Sequence, residues 1–75
     1  MNAKELIANL SEKTNIPKRS VKAVLDSLEE TVIQELGSGN SLRLSKLGVF
    51  KVVDSEPGKK VVFKIGDKIK SEVIK

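Results

Sequence analysis

The side chains able to do chemistry in this 75-residue chain are almost all charged, and their signs are sorted along it. Residues 1–36 carry five basic and six acidic groups, whereas residues 37–75 carry nine basic and four acidic ones, a net of +5 in the second half. Arg43, Lys46, Lys51, Lys59, Lys60, Lys64, Lys68 and Lys70 make up most of that charge. Cations set out in this way need only a partner with repeated negative charge, so they point to a polyanion, nucleic acid before an anionic membrane.

Other chemistries lack their parts. Histidine and cysteine are absent, which removes the usual neutral-pH general base, the commonest transition-metal ligand and all thiol or disulfide chemistry. Ser45 has no imidazole to activate it as a nucleophile. Asp26, Glu29 and Glu30 read as a solvated helix face and not as a metal cluster. No glycine-rich nucleotide loop occurs. With no Trp or Tyr and only Phe50 and Phe63, a base-stacking platform for single strands has no material. The expectation is a protein that is not an enzyme and takes no cofactor or metal.

The elements that must position the cations follow from size and periodicity. The chain has 25 Leu, Ile, Val and Phe residues, enough for a single domain over residues 1–75 but for a thin core, since chains of this size bury only about 60–65% of their unfolded surface. Without disulfide or metal, the stabilising device left is self-association. No apolar run reaches the span of a bilayer and no signal-peptide layout opens the chain, so a soluble cytoplasmic protein is expected, with no membrane partner.

Asn2 and Glu5 form a capping-box-like pair, and Ala3, Leu6, Ile7 and Leu10 make one face of a first helix ending at Thr14-Asn15. Pro17 sits near the start of a second, in which Val21, Val24, Leu25, Leu28, Val32 and Leu36 form an apolar stripe and Gly37 supplies a left-handed stop. The period then changes from helix to strand. Leu42 and Leu44, then Phe50 and Val52, alternate with Arg43 and Lys51, with a bend at Ser45–Gly48. Asp54 to Lys60 reads as a polar connection with Pro57-Gly58 at the centre of a turn. Val61, Phe63 and Ile65 make a third strand, with Val62 and Lys64 on its other face. Asp67 is placed to cap a last short helix through Val73. The reading is α+β: a helical base over residues 1–37, a three-stranded antiparallel sheet with a short hairpin over 41–65 and a short C-terminal helical stretch over 67–75. Leu28, Val32, Leu44, Leu47, Val49, Phe50, Val52 and Phe63 form a core that exceeds what two helices cover, and the excess reads as a homodimer interface.

These residues carry a resemblance to the HU/IHF family of bacterial histone-like DNA-binding proteins. Met1-Asn2-x-x-Glu5-Leu6-Ile7 is similar to the family's opening. The run Leu42-Arg43-Leu44-Ser45-Lys46-Leu47-Gly48-Val49-Phe50-Lys51-Val52 resembles its V-x-L-x-x-F-G-x-F-x-V stretch, and Phe63 to Val73 its F-K-P-G-K-x-L-K-x-x-V close. The resemblance implies an intertwined homodimer whose sheets form a saddle facing duplex DNA, within the bacterial nucleoid. It also implies a long basic β-ribbon arm with a wedging Pro at its tip, and here the chain departs from the family: only Asp54 to Lys60 stand where the arm would be. Pro57 therefore does not inherit the wedge. Asp67 and Ala3 replace frequent lysines of the family, with Lys4 beside Ala3.

The function expected is sequence-independent duplex binding by a basic saddle made of Lys4, Arg43, Lys46, Lys51, Lys59, Lys60, Lys64, Lys68 and Lys70. The alternative is a protein-interaction or regulatory module that pairs with an arm-bearing HU-like relative, or another protein, and binds DNA poorly. A winged helix–turn–helix is a third geometry, opposed by Asp26, Glu29 and Glu30 on the helix that would have to face phosphates.

Overall fold

The structure, a computed structural model, describes residues 1–55 and 58–74. Six elements follow in order: α1 (Ala3–Thr14), α2 (Lys18–Gly37), β1 (Leu42–Leu44), β2 (Gly48–Ser55), β3 (Gly58–Ile65) and α3 (Asp67–Val73). They fall into two compact units, Met1–Glu30 and Thr31–Lys75, with α2 running through the boundary.

In the first unit α1 starts where Asn2, in extended conformation, accepts the Glu5 N–H on its side-chain oxygen at 2.9 Å. This satisfies one of the unpaired donors of the first turn, and Glu5 complements the positive end of the helix dipole. Asn15 ends the helix in the left-handed region, at φ 59°, a conformation that asparagine tolerates better than most residues. Side chains then seal the connection. Thr14 Oγ1 donates to the Leu10 carbonyl at 2.6 Å and accepts from the Ile16 N–H at 3.3 Å, while Ser11 Oγ donates to the Ile16 carbonyl at 2.6 Å. The Pro17 carbonyl accepts from Ser20 and Val21 and so opens α2. Val21, 6% exposed, is the one buried apolar side chain among the described residues. On the outer surface Lys22 and Asp26, one turn apart, form an ion pair at 2.8 Å. That pair raises the Lys22 pKa, first through its hydrogen bond to Asp26 and then through the charge of that carboxylate.

The second unit opens with the end of α2. Gly37 is still helical, and the left-handed residue is Gly39, at φ 82°. Gly39 N–H bonds back to the Leu36 carbonyl at 3.0 Å and Asn40 N–H to the Glu35 carbonyl at 2.9 Å, the paired pattern that closes a helix around a left-handed glycine. The helix stops at Gly37 as expected, but the left-handed residue is Gly39, because the second glycine of Gly37-Ser38-Gly39 lets both end carbonyls be satisfied.

The three strands form an antiparallel meander in the order β1-β2-β3. β1 pairs Leu42 with Phe50, Arg43 with Val49 and Leu44 with Gly48. β2 and β3 pair over their whole length, from Gly48 opposite Ile65 to Ser55 opposite Gly58. Asp54, Ser55, Lys59 and Lys60, expected in a polar connection, are therefore strand residues. Alternation of charge and β-branched residues carries the ladder outward to the ends of both strands, and two residues join them. Glu56 and Pro57 lie outside the described residues, and with them the turn expected at Pro57-Gly58.

Between β1 and β2 the chain reverses in four residues, with the Leu47 N–H bonded to the Leu44 carbonyl at 2.9 Å. Two residues take positive φ here, Ser45 at 46° and Gly48 at 154°. A Cβ on Gly48 would run into the Lys64 carbonyl oxygen and come within 2.7 Å of Phe63 Cζ. At the far end of β3 the Gly66 N–H bonds to the Leu47 carbonyl at 2.8 Å, and a Cβ on Gly66 would meet the Lys46 carbonyl. These two close approaches tie the bend to the start of α3. The expected cap at Asp67 is displaced: Gly66 is the N-cap, with no side-chain cap bond, and Asp67 is in the first turn. α3 ends at Val73, where its pattern placed the end.

Candidate nucleic-acid interface

Strand register sorts the side chains of the sheet onto two faces, because directly paired residues point the same way and neighbours along a strand point opposite ways. One face carries Leu42, Leu44, Phe50, Val52, Val61, Phe63 and Ile65. Phe50 and Phe63 are direct partners whose rings lie 4.7 Å apart, tilted by 55°. The other face carries Arg43, Lys51, Lys60 and Lys64 with Val49, Val53 and Val62.

The cations on this second face never stand directly opposite one another. Arg43 and Lys64 both oppose Val49, Lys51 opposes Val62, and Lys60 opposes Val53. Like charges placed directly across a ladder repel, and the valines between them avoid this. The charges are left in a zigzag with diagonal spacing of about 7–8 Å. All four are exposed.

An open groove of about 680 Å³ runs along this face. Arg43, Lys46, Lys51, Lys64 and Lys68 line it, and Asp67 is its acidic member. The bend brings Lys46 to the groove and the first turn of α3 brings Lys68. Ser41 and Ser45 add hydroxyl groups, which contacts to phosphate oxygens commonly use. Sequence reasoning passed over these serines as groove residues. The available signal was their position on either side of the three-residue strand that carries Arg43.

The remaining expected residues lie elsewhere. Lys59 pairs with Asp54 on the apolar side, so Lys59 and Lys60 point to opposite faces. Lys70 is on α3 but not in the groove: two residues along a helix turn the side chain about 200° away from Lys68. Lys4 stands on α1, in the other unit. Val49, grouped by its apolar character with the core, belongs to the cationic face by parity. Of the other expected core residues, Leu28, Val32, Leu44, Phe50 and Val52 are half-buried within the protomer, while Leu47 is 56% and Phe63 42% exposed.

The sheet thus presents one cationic and one apolar face in a small α+β protomer. Comparison with known proteins narrows the class. A family model described as "Bacterial DNA-binding protein" matches residues 1–72, and the chain belongs to that family, the one that contains HU. It is 42% identical over 52 residues to DNA-binding protein HU of Buchnera aphidicola subsp. Baizongia pistaciae, covering 69% of this chain and 56% of that protein. It is 36% identical over 59 residues to DNA-binding protein HRL18 of Rhizobium leguminosarum, covering 79% and 65%. The chain thus matches less than two thirds of the length of these relatives. Among solved structures, a mutant of HU from Thermotoga maritima superposes with a TM-score of 0.88 at 34% identity, over 97% of this chain and 99% of that one.

Proposed function

We propose that this chain binds duplex DNA as a homodimer, without sequence preference, through the cationic face of its sheet. One observation carries the reading: strand register gathers Arg43, Lys51, Lys60 and Lys64 on a single exposed face, and the bend and α3 add Lys46 and Lys68 to the groove that Arg43, Lys51 and Lys64 line. Contacts of this kind neutralise phosphates and do not read base edges. The relatives that are named DNA-binding proteins support the same reading. Its place would be the bacterial nucleoid, in the cytoplasm.

The two-residue link between β2 and β3 sets the binding mode. The ribbon arm implied by the resemblance gains affinity by wrapping the minor groove and wedging a base step, which offsets the cost of bending. A hairpin ending at Ser55 and Gly58 leaves phosphate contact from the sheet as the source of affinity. A salt titration of binding to a mixed-sequence duplex tests this. A dimer neutralising about six phosphates gives a log–log slope near −5, and the triple variant Lys46→Glu, Lys51→Glu, Lys64→Glu should lose binding while keeping its fold and association. No binding by the wild type at low salt would end the proposal. Pairing with an arm-bearing relative is the second reading, favoured by the same short hairpin beside an open apolar face; a mixed dimer in native mass spectrometry is its signature.

A further inference from the structure

We infer that Asp67 is an affinity-limiting residue of the groove: its carboxylate limits how tightly a phosphate backbone is held there and keeps duplex binding weak and readily reversed. The inference rests on the DNA-binding reading above.

Three observations converge on it. Asp67 lines the same groove as Arg43, Lys46, Lys51, Lys64 and Lys68 and is exposed. Its carboxylate is not used up locally. The N-cap of α3 is Gly66, no side-chain cap bond forms, and among the described residues Asp67 makes no ion pair with the flanking Lys64 or Lys68. Nor can it be turned out of the way by the backbone, because the Gly66 N–H is fastened to the Leu47 carbonyl and the space at Gly66 is closed by the Lys46 carbonyl. A negative charge that forms no ion pair among the described residues thus shares one groove with five cations, and screening by salt weakens its effect with distance.

A phosphate entering the groove meets attraction from the cations and repulsion from Asp67. Exposed charge pairs of this kind are worth about 0.2–1 kcal/mol, which corresponds to about a 1.4- to fivefold change in affinity for each protomer. The effect is electrostatic, so it shrinks as salt rises. Glu72, the other acid of α3, lines a different groove beside Leu47 and Val73 and does not share this position.

The experiment is a salt series of binding to a mixed-sequence duplex with the wild type, Asp67→Asn, Asp67→Ser, Asp67→Glu, Asp67→Lys and Asp54→Asn, with thermal melting of each protein. Asp54 is the control for net charge, since it faces the apolar side opposite Lys59. The expected result is tighter binding by Asp67→Asn and Asp67→Ser at low salt, converging on the wild type at high salt. Asp67→Glu should bind like the wild type, and Asp67→Lys should steepen the log–log slope by about 0.9 per protomer. Equal binding by wild type and both neutral variants overturns the inference, as does an equal gain from Asp54→Asn. Binding by Asp67→Asn alone, with none by the wild type, overturns the DNA-binding reading and supports the brake. No binding by any variant overturns both.

Discussion

Gly48 is where one residue holds the most structure. Its φ of 154° is outside the range of ordinary side chains, and a Cβ there would strike the Lys64 carbonyl. Gly48→Ala should therefore cost at least about 1–3 kcal/mol from backbone strain alone, read from the midpoint of urea unfolding. The need for glycine at this bend was legible in the chain. The left-handed Ser45 beside it was not, because serine carries no backbone signature for that conformation. Lys22 gives a smaller, pH-resolved effect. Its raised pKa means that the folded state holds the proton more tightly than the unfolded one. The stabilisation is therefore complete below the usual 10.5 and is lost as pH rises through the raised folded value. Asp26→Asn should move the Lys22 titration, followed by NMR of its side chain, back toward 10.5.

Helices and strands show why some boundaries were readable and others shifted. The apolar stripe of α2 and the alternation of β2 and β3 are strong periodic signals, and both elements form where expected. Their ends depend on which backbone groups find partners. Gly39 closes α2 because it lets Leu36 and Glu35 carbonyls be satisfied together, and Asp54, Ser55, Gly58, Lys59 and Lys60 pair because antiparallel partners were already in register behind them. Gly39→Ala should lower stability by about 1–2 kcal/mol, the cost of a left-handed alanine, with open space around it so that no clash adds. Of the cationic zigzag, Arg43, Lys51 and Lys64 follow from alternation alone. Assigning Lys60 to one face and Lys59 to the other required the register of the hairpin.

At the scale of the whole molecule, the apolar sheet face has too little cover within one protomer. Phe63 at 42% and Val61 at 58% exposure are costly to leave in water, at about 25 cal/mol per Å² of apolar surface. A second copy is the cover proposed here. The thermal midpoint should then rise with protein concentration, and Phe63→Ala should lower it while costing about 3–5 kcal/mol of the assembled state; equilibrium sedimentation of the two proteins checks the association directly. An excess of apolar surface was legible from the number of apolar side chains, but which side chains stay exposed was not, because that depends on how the elements pack. The short link between β2 and β3 has a consequence in time as well as in affinity. A protein with no long ribbon to set in place on contact can leave DNA as simply as it arrives. On the DNA-binding reading proposed above, its residence on any one site would be brief.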